Sequence, residues 1–573
     1  MATDKTLTVW TATYDLLRAL GLTTVFGNPG STEQPFLKNF PADFQYILGL
    51  QEASVVAMAD GFAQATGRPA LVNLHTSAGT GNGMGNIMTA FLNKTPLIIT
   101  AGQQTREMIL CDPMLTNRDE TMLPRPYVKW AYQPTRAQDV PGAVMRAYAL
   151  ALQPPAGPVY LSIPLDDWDQ PALGPAVVRT VSARFAPDGD RVRAFANRIS
   201  EAKKLVLVYG QEIERSGGWE AGVAFAEKLR APVFHAPNTE RPSFPERHPL
   251  FQGMLPIAMR QLSDRLKGFE LAVVIGAPVF RYYPYVPGPV LPQGCELLQI
   301  TNDPGDAGGA LVGDSLLGDA KLTLEALLEL VEDGSSRAAP TPLHFPRTLP
   351  SPPNSPLTAS EAYAALSELR PENAIIVQES PSNAMDLAMW WPTIKPASYY
   401  TFASGGLGWN APAAVGVALA ERKLGSGRPV IAVIGDGALQ YSVQCLASAV
   451  QQKLKVIYII PCNGEYAILK EFAELENTPN VPGLDLPALD IVSTAKGFGC
   501  AAAEARTREE IQAAFLTALD ADGPTVIAIP IKRQLRPLVP PVQRVGLRFG
   551  RVQRGGSAPL PIRWIVASKP ALN

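Results

Sequence analysis

Three absences narrow the field. There is no paired cysteine spacing: Cys111, Cys295, Cys445, Cys462 and Cys500 are scattered and odd in number. That pattern argues against a disulfide framework and a thiolate metal site, and fits a reducing compartment. No apolar run is long enough to span a bilayer, and residues 1–7 hold no apolar core flanked by positive charge. No membrane segment or signal peptide is therefore expected, and a soluble cytoplasmic protein is the expectation. Nor is there an excess of charge of either sign. A formal net charge of −2 with 18% charged residues predicts no general attraction to nucleic acid or to anionic membranes.

What is there is a globular composition, 46% apolar over 573 residues, too long for one ordinary core. Short β-rich runs at 24–26, 71–74, 97–100, 205–209, 271–275, 297–300, 430–434 and 456–460 alternate with longer amphipathic stretches. Most runs are followed closely by Gly, Asn, Asp or Pro, the pattern of βαβ units whose parallel strands are buried on both faces. Proline-containing stretches near 166–187 and 338–356, the second with seven prolines, break helices and central strands and so divide the chain. The expected fold is α/β, with three doubly wound parallel-sheet domains at 1–182, 183–340 and 341–535. The segment from Lys532 onward has nine Lys or Arg and no Asp or Glu. It reads as a basic tail (536–573 taken as the tail proper) with little order, or as an arm docking on a neighbouring subunit.

The strongest local signal lies between Val430 and Phe472. An apolar strand runs into Gly435-Asp436-Gly437, an amphipathic segment follows at 438–451, and a second strand ends at Pro461-Cys462-Asn463-Gly464. This is one βαβ unit with two strand ends side by side at the carboxyl edge of a sheet, where ligands bind. The glycines let backbone approach phosphate oxygens, a helix start offers N–H groups to an anion, and Asp436 with Asn463 offers hard oxygen ligands to Mg²⁺. No Gly-x-Gly-x-x-Gly follows the strand and no Walker-type lysine is present, which argues against a dinucleotide site or a P-loop.

In the first domain, residues 46–50 read as a strand leading into Gln51-Glu52-Ala53 and a helical segment at 54–65. Alone, Glu52 reads as a helix N-terminal charge favoured by the dipole. Two more strand ends carry polar residues, Gly27-Asn28-Pro29-Gly30-Ser31 and His75-Thr76-Ser77. Each by itself could be a tight turn, and a lone His75 could be a core histidine. Ser31, Glu52 and His75 arriving at one face form a constellation.

These residues resemble the thiamine-diphosphate-dependent 2-oxo acid decarboxylases, most closely the benzoylformate decarboxylase branch. The resemblance covers residues 8–533 and is strongest at 25–51, 73–82, 97–106, 273–282, 405–408 and 431–437. It implies pyrimidine-binding, middle and diphosphate-binding domains in that order. It implies active sites between two subunits, and homotetramers built as pairs of dimers. By resemblance, Glu52 activates the cofactor through its pyrimidine ring, Ser31 holds the substrate carboxylate and His75 hydrogen-bonds substrate and manages protons. Asp436, Asn463 and the Glu465 carbonyl would bind Mg²⁺, with Ca²⁺ or Mn²⁺ as alternatives. Asn28, Ser382, Gly405, Gly406, Leu407, Gly435, Gly437, Ala438 and Tyr466 complete the cofactor set. Leu407 would wedge the bent cofactor and the Gly405 carbonyl would accept from its amine. Met114, Leu115, Leu469 and Phe472 would line an apolar pocket for an aromatic 2-oxo acid, benzoylformate first.

Several positions depart from the pattern. Cys462 replaces the first Asn of an Asn-Asn pair, Ala438 and Pro381 replace hydroxyl residues, and Glu465 stands at a Thr position, so its side chain is expected to point away from the phosphates. The second active-site histidine falls on Tyr283. A phenol is a weaker acid than an imidazolium, which bears on late proton transfer. Two alternatives stand beside decarboxylation to aldehyde and CO₂. One is a carboligase or lyase resembling acetolactate synthase or benzaldehyde lyase, taking an aldehyde or a second oxo acid. The other is a cofactor-binding protein without catalysis.

Overall fold

In the computed structural model, which describes residues 7–119, 121–345 and 356–539, the apolar runs become strands, and every pairing between named strands is parallel. The first sheet holds β1 (Thr24–Gly27), β2 (Gln45–Leu48), β3 (Ala70–Leu74), β4 (Leu97–Gln103), β5 (Ala131–Tyr132) and β6 (Val159–Pro164), in the order β2-β1-β3-β4-β6-β5. The second holds β7 (Leu205–Tyr209), β8 (Val233–His235), β9 (Phe251–Met254), β10 (Leu271–Ile275), β11 (Glu296–Thr301) and β12 (Asp314–Leu317), in the order β12-β11-β10-β7-β8-β9. The third holds β13 (Ile375–Glu379), β14 (Tyr399–Tyr400), β15 (Val430–Ile434), β16 (Val456–Cys462), β17 (Ala501–Glu504) and β18 (Thr525–Pro530), in the order β14-β13-β15-β16-β18-β17.

The first and third sheets thus share one strand order. Each switches direction beside its own first strand, and such a switch opens a crevice at the carboxyl edge. The central strands β1, β3, β4, β13, β15 and β6 are buried at every residue, which is why they read as unbroken apolar runs.

One apolar core joins the first and third sheets. It includes Val55, Val56, Met58 and Phe62 of the helix Glu52–Thr66, and Val415, Val417 and Leu419 of the helix Asn410–Leu424. The two helices cross at glycines. A Cβ on Gly61 would overlap the Ala413 carbonyl, and one on Gly416 the Met58 carbonyl, so backbone meets backbone there. The middle sheet keeps separate cores. Lys94 ties it to the first sheet by reaching Asp306 at 2.5 Å, Asp303 at 2.8 Å and Glu212 at 3.4 Å.

Two expectations change. The segment 438–451 is not one helix but two short ones, Asp436–Leu439 and Cys445–Gln451. The break has a physical reason, since Ser442 leaves the helical path to donate to the Gly408 carbonyl at 2.7 Å. The chain from Lys532 is also engaged at its start. Lys532 N–H donates to the Leu357 carbonyl at 2.7 Å, and Arg536 pairs with Asp386 at 2.8 Å. Residues 540–573, most of the basic tail, lie outside the described residues, as does the centre of the proline-rich 338–356 stretch. Among the described residues no helix is long and apolar enough to cross a membrane, and the five cysteines are unpaired.

Candidate active site

The carboxyl edge of the first sheet gathers Asn28, Glu33, Glu52, His75 and Asn82. Glu52 opens its helix behind Gln51, whose side chain caps the Ala53 N–H at 2.7 Å. The Glu52 carboxylate is buried, and an amide meets each of its oxygens. Asn28 Nδ2 donates to Oε1 at 3.1 Å and Asn82 Nδ2 to Oε2 at 3.0 Å. Two amides therefore fix the plane of the carboxylate and leave its remaining lone pairs for a ligand.

His75 precedes the helix Thr76–Leu92. Its Nδ1 lies 2.8 Å from Glu33 Oε2. Glu33 is fully buried and also accepts from Gly30 N–H at 3.0 Å, Thr32 Oγ1 at 2.7 Å and Gly102 N–H at 2.8 Å. Because a carboxylate only accepts, Nδ1 carries the proton and Nε2 is the free ring nitrogen, an assignment made from this network. Gly30 packs directly on the His75 ring, and Gly79 lies between Glu52 and His75. The fold therefore brings Glu52, His75 and the turn carrying the exposed Ser31 to one place.

The carboxyl edge of the third sheet gathers a second set. Asp436 Oδ2 accepts from the Gly464 N–H at 2.8 Å and Oδ1 from the Gly437 N–H at 2.9 Å, so one carboxylate binds the loops after β15 and β16 together. Burial pushes its carboxyl upward, partly opposed by those N–H bonds. A cation there would favour the ionised form. Asn463 Oδ1 accepts from the Glu465 N–H at 3.1 Å. The Glu465 side chain turns to Lys470 at 2.6 Å, which neutralises the charge placed at this position. Arg533 donates to the Asn463 carbonyl at 3.0 Å and the Gly464 carbonyl at 3.1 Å, leaving the Glu465 carbonyl without a hydrogen bond among the described residues. Gly435 has open space where a Cβ would project, and the Tyr466 ring closes on Gly437. Ser382 sits on the turn Pro381–Asn383 beside this edge.

A third segment completes the arrangement. The loop before the helix Asn410–Leu424 carries Gly405 at φ +73°, Gly406, Leu407 and Gly408 at φ +103°. Its end is held by Glu379, the last residue of β13, which accepts from the N–H groups of Gly408 at 2.6 Å, Trp409 at 3.0 Å and Asn410 at 2.7 Å. Burial pushes the Glu379 carboxyl up to about 7 against these three bonds.

Of the residues expected to line a pocket, Phe472 and Leu469 lie on the helix Ala467–Glu476, and the Tyr283 ring packs on Phe472 with centroids 4.8 Å apart. Met114 is 86% exposed and Leu115 is also open, surface that a ligand or a partner would cover. Glu33, Asn82, Glu379 and Arg533 were not legible as site residues. Their partners are mostly backbone groups or side chains distant in sequence, and no local spacing signals them.

Comparison with known proteins decides the family. Residues 7–122, 192–327 and 382–529 match, in turn, the N-terminal TPP binding, central and C-terminal TPP binding domains of thiamine pyrophosphate enzymes. A benzoylformate decarboxylase of Pseudomonas aeruginosa is 47% identical over 536 residues, covering 91% of this chain and 98% of the relative. The chain belongs to the thiamine-diphosphate-dependent 2-oxo acid decarboxylase family. The crystal structure of benzoylformate decarboxylase from Polynucleobacter necessarius is 52% identical with a TM-score of 0.91, covering 93% of this chain and all of that one. A thiamine diphosphate-dependent 4-hydroxybenzoylformate decarboxylase from Rhodococcus jostii is 41% identical with a TM-score of 0.88, covering 92% and 100%.

The residues present fit a bound diphosphate and cation. Among the described residues, no group of three or more His, Cys, Asp or Glu side chains could hold a metal alone. A cation at Asp436 would draw on an amide oxygen, a free backbone carbonyl and the ligand's own phosphates, as Mg²⁺ sites commonly do.

Proposed function

We propose that this protein is a carboxy-lyase that converts an aromatic 2-oxo acid of the benzoylformate type to the aldehyde and CO₂, using thiamine diphosphate and Mg²⁺ (Ca²⁺ or Mn²⁺ as alternatives). The observation that carries the reading is the amide-braced Glu52 at one sheet edge and the loop-bridging Asp436 at another, in a chain of this family. When bound, the cofactor would supply an electron sink for the bonding pair that stays on the substrate carbon as CO₂ departs.

The rest falls to this chain. Glu52, aimed by Asn28 and Asn82, shares a proton with the pyrimidine ring nitrogen. Asp436, Asn463 and the Glu465 carbonyl hold the cation. Gly435, Gly437, Ala438, Ser382 and Tyr466 surround the diphosphate. Gly405, Gly406 and Leu407 meet the rings. Ser31 binds the substrate carboxylate, and His75 presents Nε2 to the substrate oxygen or to a proton in transit. Met114, Leu115, Leu469, Phe472 and Tyr283 exclude water and accept an aromatic ring.

On this reading the segments 1–182, 183–340 and 341–535 are pyrimidine-binding, middle and diphosphate-binding domains. The active site forms between two subunits of a cytoplasmic homotetramer, which the exposed Met114 and Leu115 and the unpaired cysteines support. Tyr283 in place of a histidine favours carboligation with an aldehyde as a second activity. The joint presence of Glu52, Asp436 and Asn463 speaks against an inactive binding protein.

The test is a panel of 2-oxo acids in an assay coupled to aldehyde oxidation. Benzoylformate or a ring-substituted analogue should be turned over with the highest kcat/KM. Turnover of short aliphatic acids with none of aromatic ones would overturn the substrate class.

A further inference from the structure

The helix Thr76–Leu92 and the Asn93 that follows it carry a polar row on one face, Asn82, Asn86, Thr89 and Asn93, at steps of four, three and four. That spacing stacks side chains along one side of a helix. Asn86, Thr89 and Asn93 are buried, where a polar group costs free energy unless it is bonded, and each of them is.

At the first position, Asn82 holds Glu52 Oε2 at 3.0 Å. Asn86 Nδ2 donates to the Ala53 carbonyl at 2.9 Å and reaches the Gly408 carbonyl at 3.4 Å. Thr89 Oγ1 donates to the Gly85 carbonyl at 3.0 Å, so at 2.9 Å it accepts from Ser404 Oγ, which itself accepts from the Gly406 N–H at 3.1 Å. Asn93 Oδ1 accepts from the Ala403 N–H at 2.8 Å, and its Nδ2 donates to Asp60 Oδ2 at 2.8 Å. Asp60 is fully buried on the Glu52 helix and also accepts from Trp409 Nε1 at 2.7 Å and Gln64 Nε2 at 2.9 Å. One end of the row thus touches the carboxylate of the first domain. The other three members reach the start, middle and end of the loop 403–408 in the third, and Ser442 and Glu379 share the hold on the end.

We propose that Asn86, Thr89 and Asn93 are positioning residues that, with Asn82, form a strut registering the loop 403–408 against the Glu52 end of the first domain. Through this strut, order imposed at either end is transmitted to the other. The proposal rests on the reading that Glu52 and Gly405–Leu407 each contact a bound cofactor, in sites completed by the partner subunit. None of the three touches the reacting atoms. They set the backbone from which Gly405 and Leu407 project, while Glu379 and Ser442 hold Gly408 at the far end of the loop.

The experiment is calorimetric titration of the full-length apoprotein with thiamine diphosphate and Mg²⁺. Thr89→Val keeps shape and removes only the hydroxyl, so it should weaken cofactor affinity about fivefold to tenfold, while Thr89→Ser should bind close to wild type. Asn86→Ala should also weaken binding, and its effect should be non-additive with Glu52→Gln by about fivefold, as members of one network are. If Thr89→Val binds like wild type, or if Asn86→Ala and Glu52→Gln simply add, the strut is wrong. Should Asn86→Ala fail to fold, the Thr89 pair decides alone. Asp436→Ala separates the underlying reading: if the wild type binds cofactor and Asp436→Ala binds it equally well, the site assignment fails whatever the Thr89 variants do.

Discussion

At the residue scale, the chemistry depends on carboxylates in different settings. Glu33 accepts four hydrogen bonds and holds the His75 tautomer. An amide has one acceptor oxygen and two donors, so Glu33→Gln must turn an N–H against either His75 or the Gly102 N–H. The expected outcome is a kcat lower by roughly tenfold to a hundredfold, less than the roughly hundredfold to ten-thousandfold that an acid–base group supplies, because His75 is misaligned and not removed. KM should change less, and the pH profile should move. Steady-state kinetics against pH checks this, and an unchanged kcat would remove His75 from the proton path. Tyr283 makes a different prediction. Its ring packs on Phe472 while remaining 62% exposed, and on the proposed reading it presents a weakly acidic phenol to the substrate. Slow proton delivery leaves more time for an aldehyde acceptor to intercept. Tyr283→His should therefore lower the ratio of 2-hydroxy ketone to aldehyde at fixed acceptor concentration, and a ratio that holds or rises would put Tyr283 outside that path. Glu52 and Asp436 are legible in the sequence because each follows an apolar strand at a glycine-bearing or polar turn. Glu33 and Glu379 are not, because what identifies them is the N–H groups of Gly102 and of residues 408–410, far along the chain.

At the element scale, the Gly405–Gly408 loop depends on a cap. Glu379 ends one strand and receives three N–H groups at the start of the helix Asn410–Leu424, where a negative charge is also favoured by the helix dipole. Burial nevertheless raises its carboxyl to about 7 from an ordinary value near 4.5. The folded protein therefore holds more protons than the unfolded chain between those values, and Glu379's contribution to stability falls as pH rises through that window. Denaturation midpoints of the apoprotein measured from pH 5 to 7.5 should show this decline. Glu379→Gln, which does not titrate, should show a shallower one and weaker cofactor binding. Equal slopes would mean that other buried carboxyls carry the pH response. The helix boundaries themselves were only partly legible. The amphipathic run 438–451 satisfies a helical pattern, yet Ser442 breaks it to bond the Gly408 carbonyl, a tertiary contact that outweighs local propensity.

At the scale of the whole molecule, three parallel sheets were legible because strands buried on both faces leave continuous apolar runs. The shared strand order of the first and third sheets was not, since it depends on which strands neighbour one another. Nor does one chain's pattern tell whether Glu52 and Asp436 of that chain serve the same site. That question has a decisive test. Glu52→Gln should bind cofactor yet exchange its C2 proton very slowly, because an amide cannot share the proton. Asp436→Ala should lose cofactor affinity and activity together. Each homo-oligomer should be inactive. If every site takes Glu52 from one subunit and Asp436 from its partner, co-folding the two variants in equal amounts creates some intact sites. A site is intact only when its Glu52 comes from an Asp436→Ala chain and its Asp436 from a Glu52→Gln chain. Each condition is met half the time, so activity should return to about a quarter of wild type, whether dimers or pairs of dimers form. Mixing the two proteins after folding, without subunit exchange, should give none. If instead both residues of one chain serve one site, every site carries one defect and co-folding also restores nothing, so the recovered activity measures directly whether the catalytic unit is one chain or two.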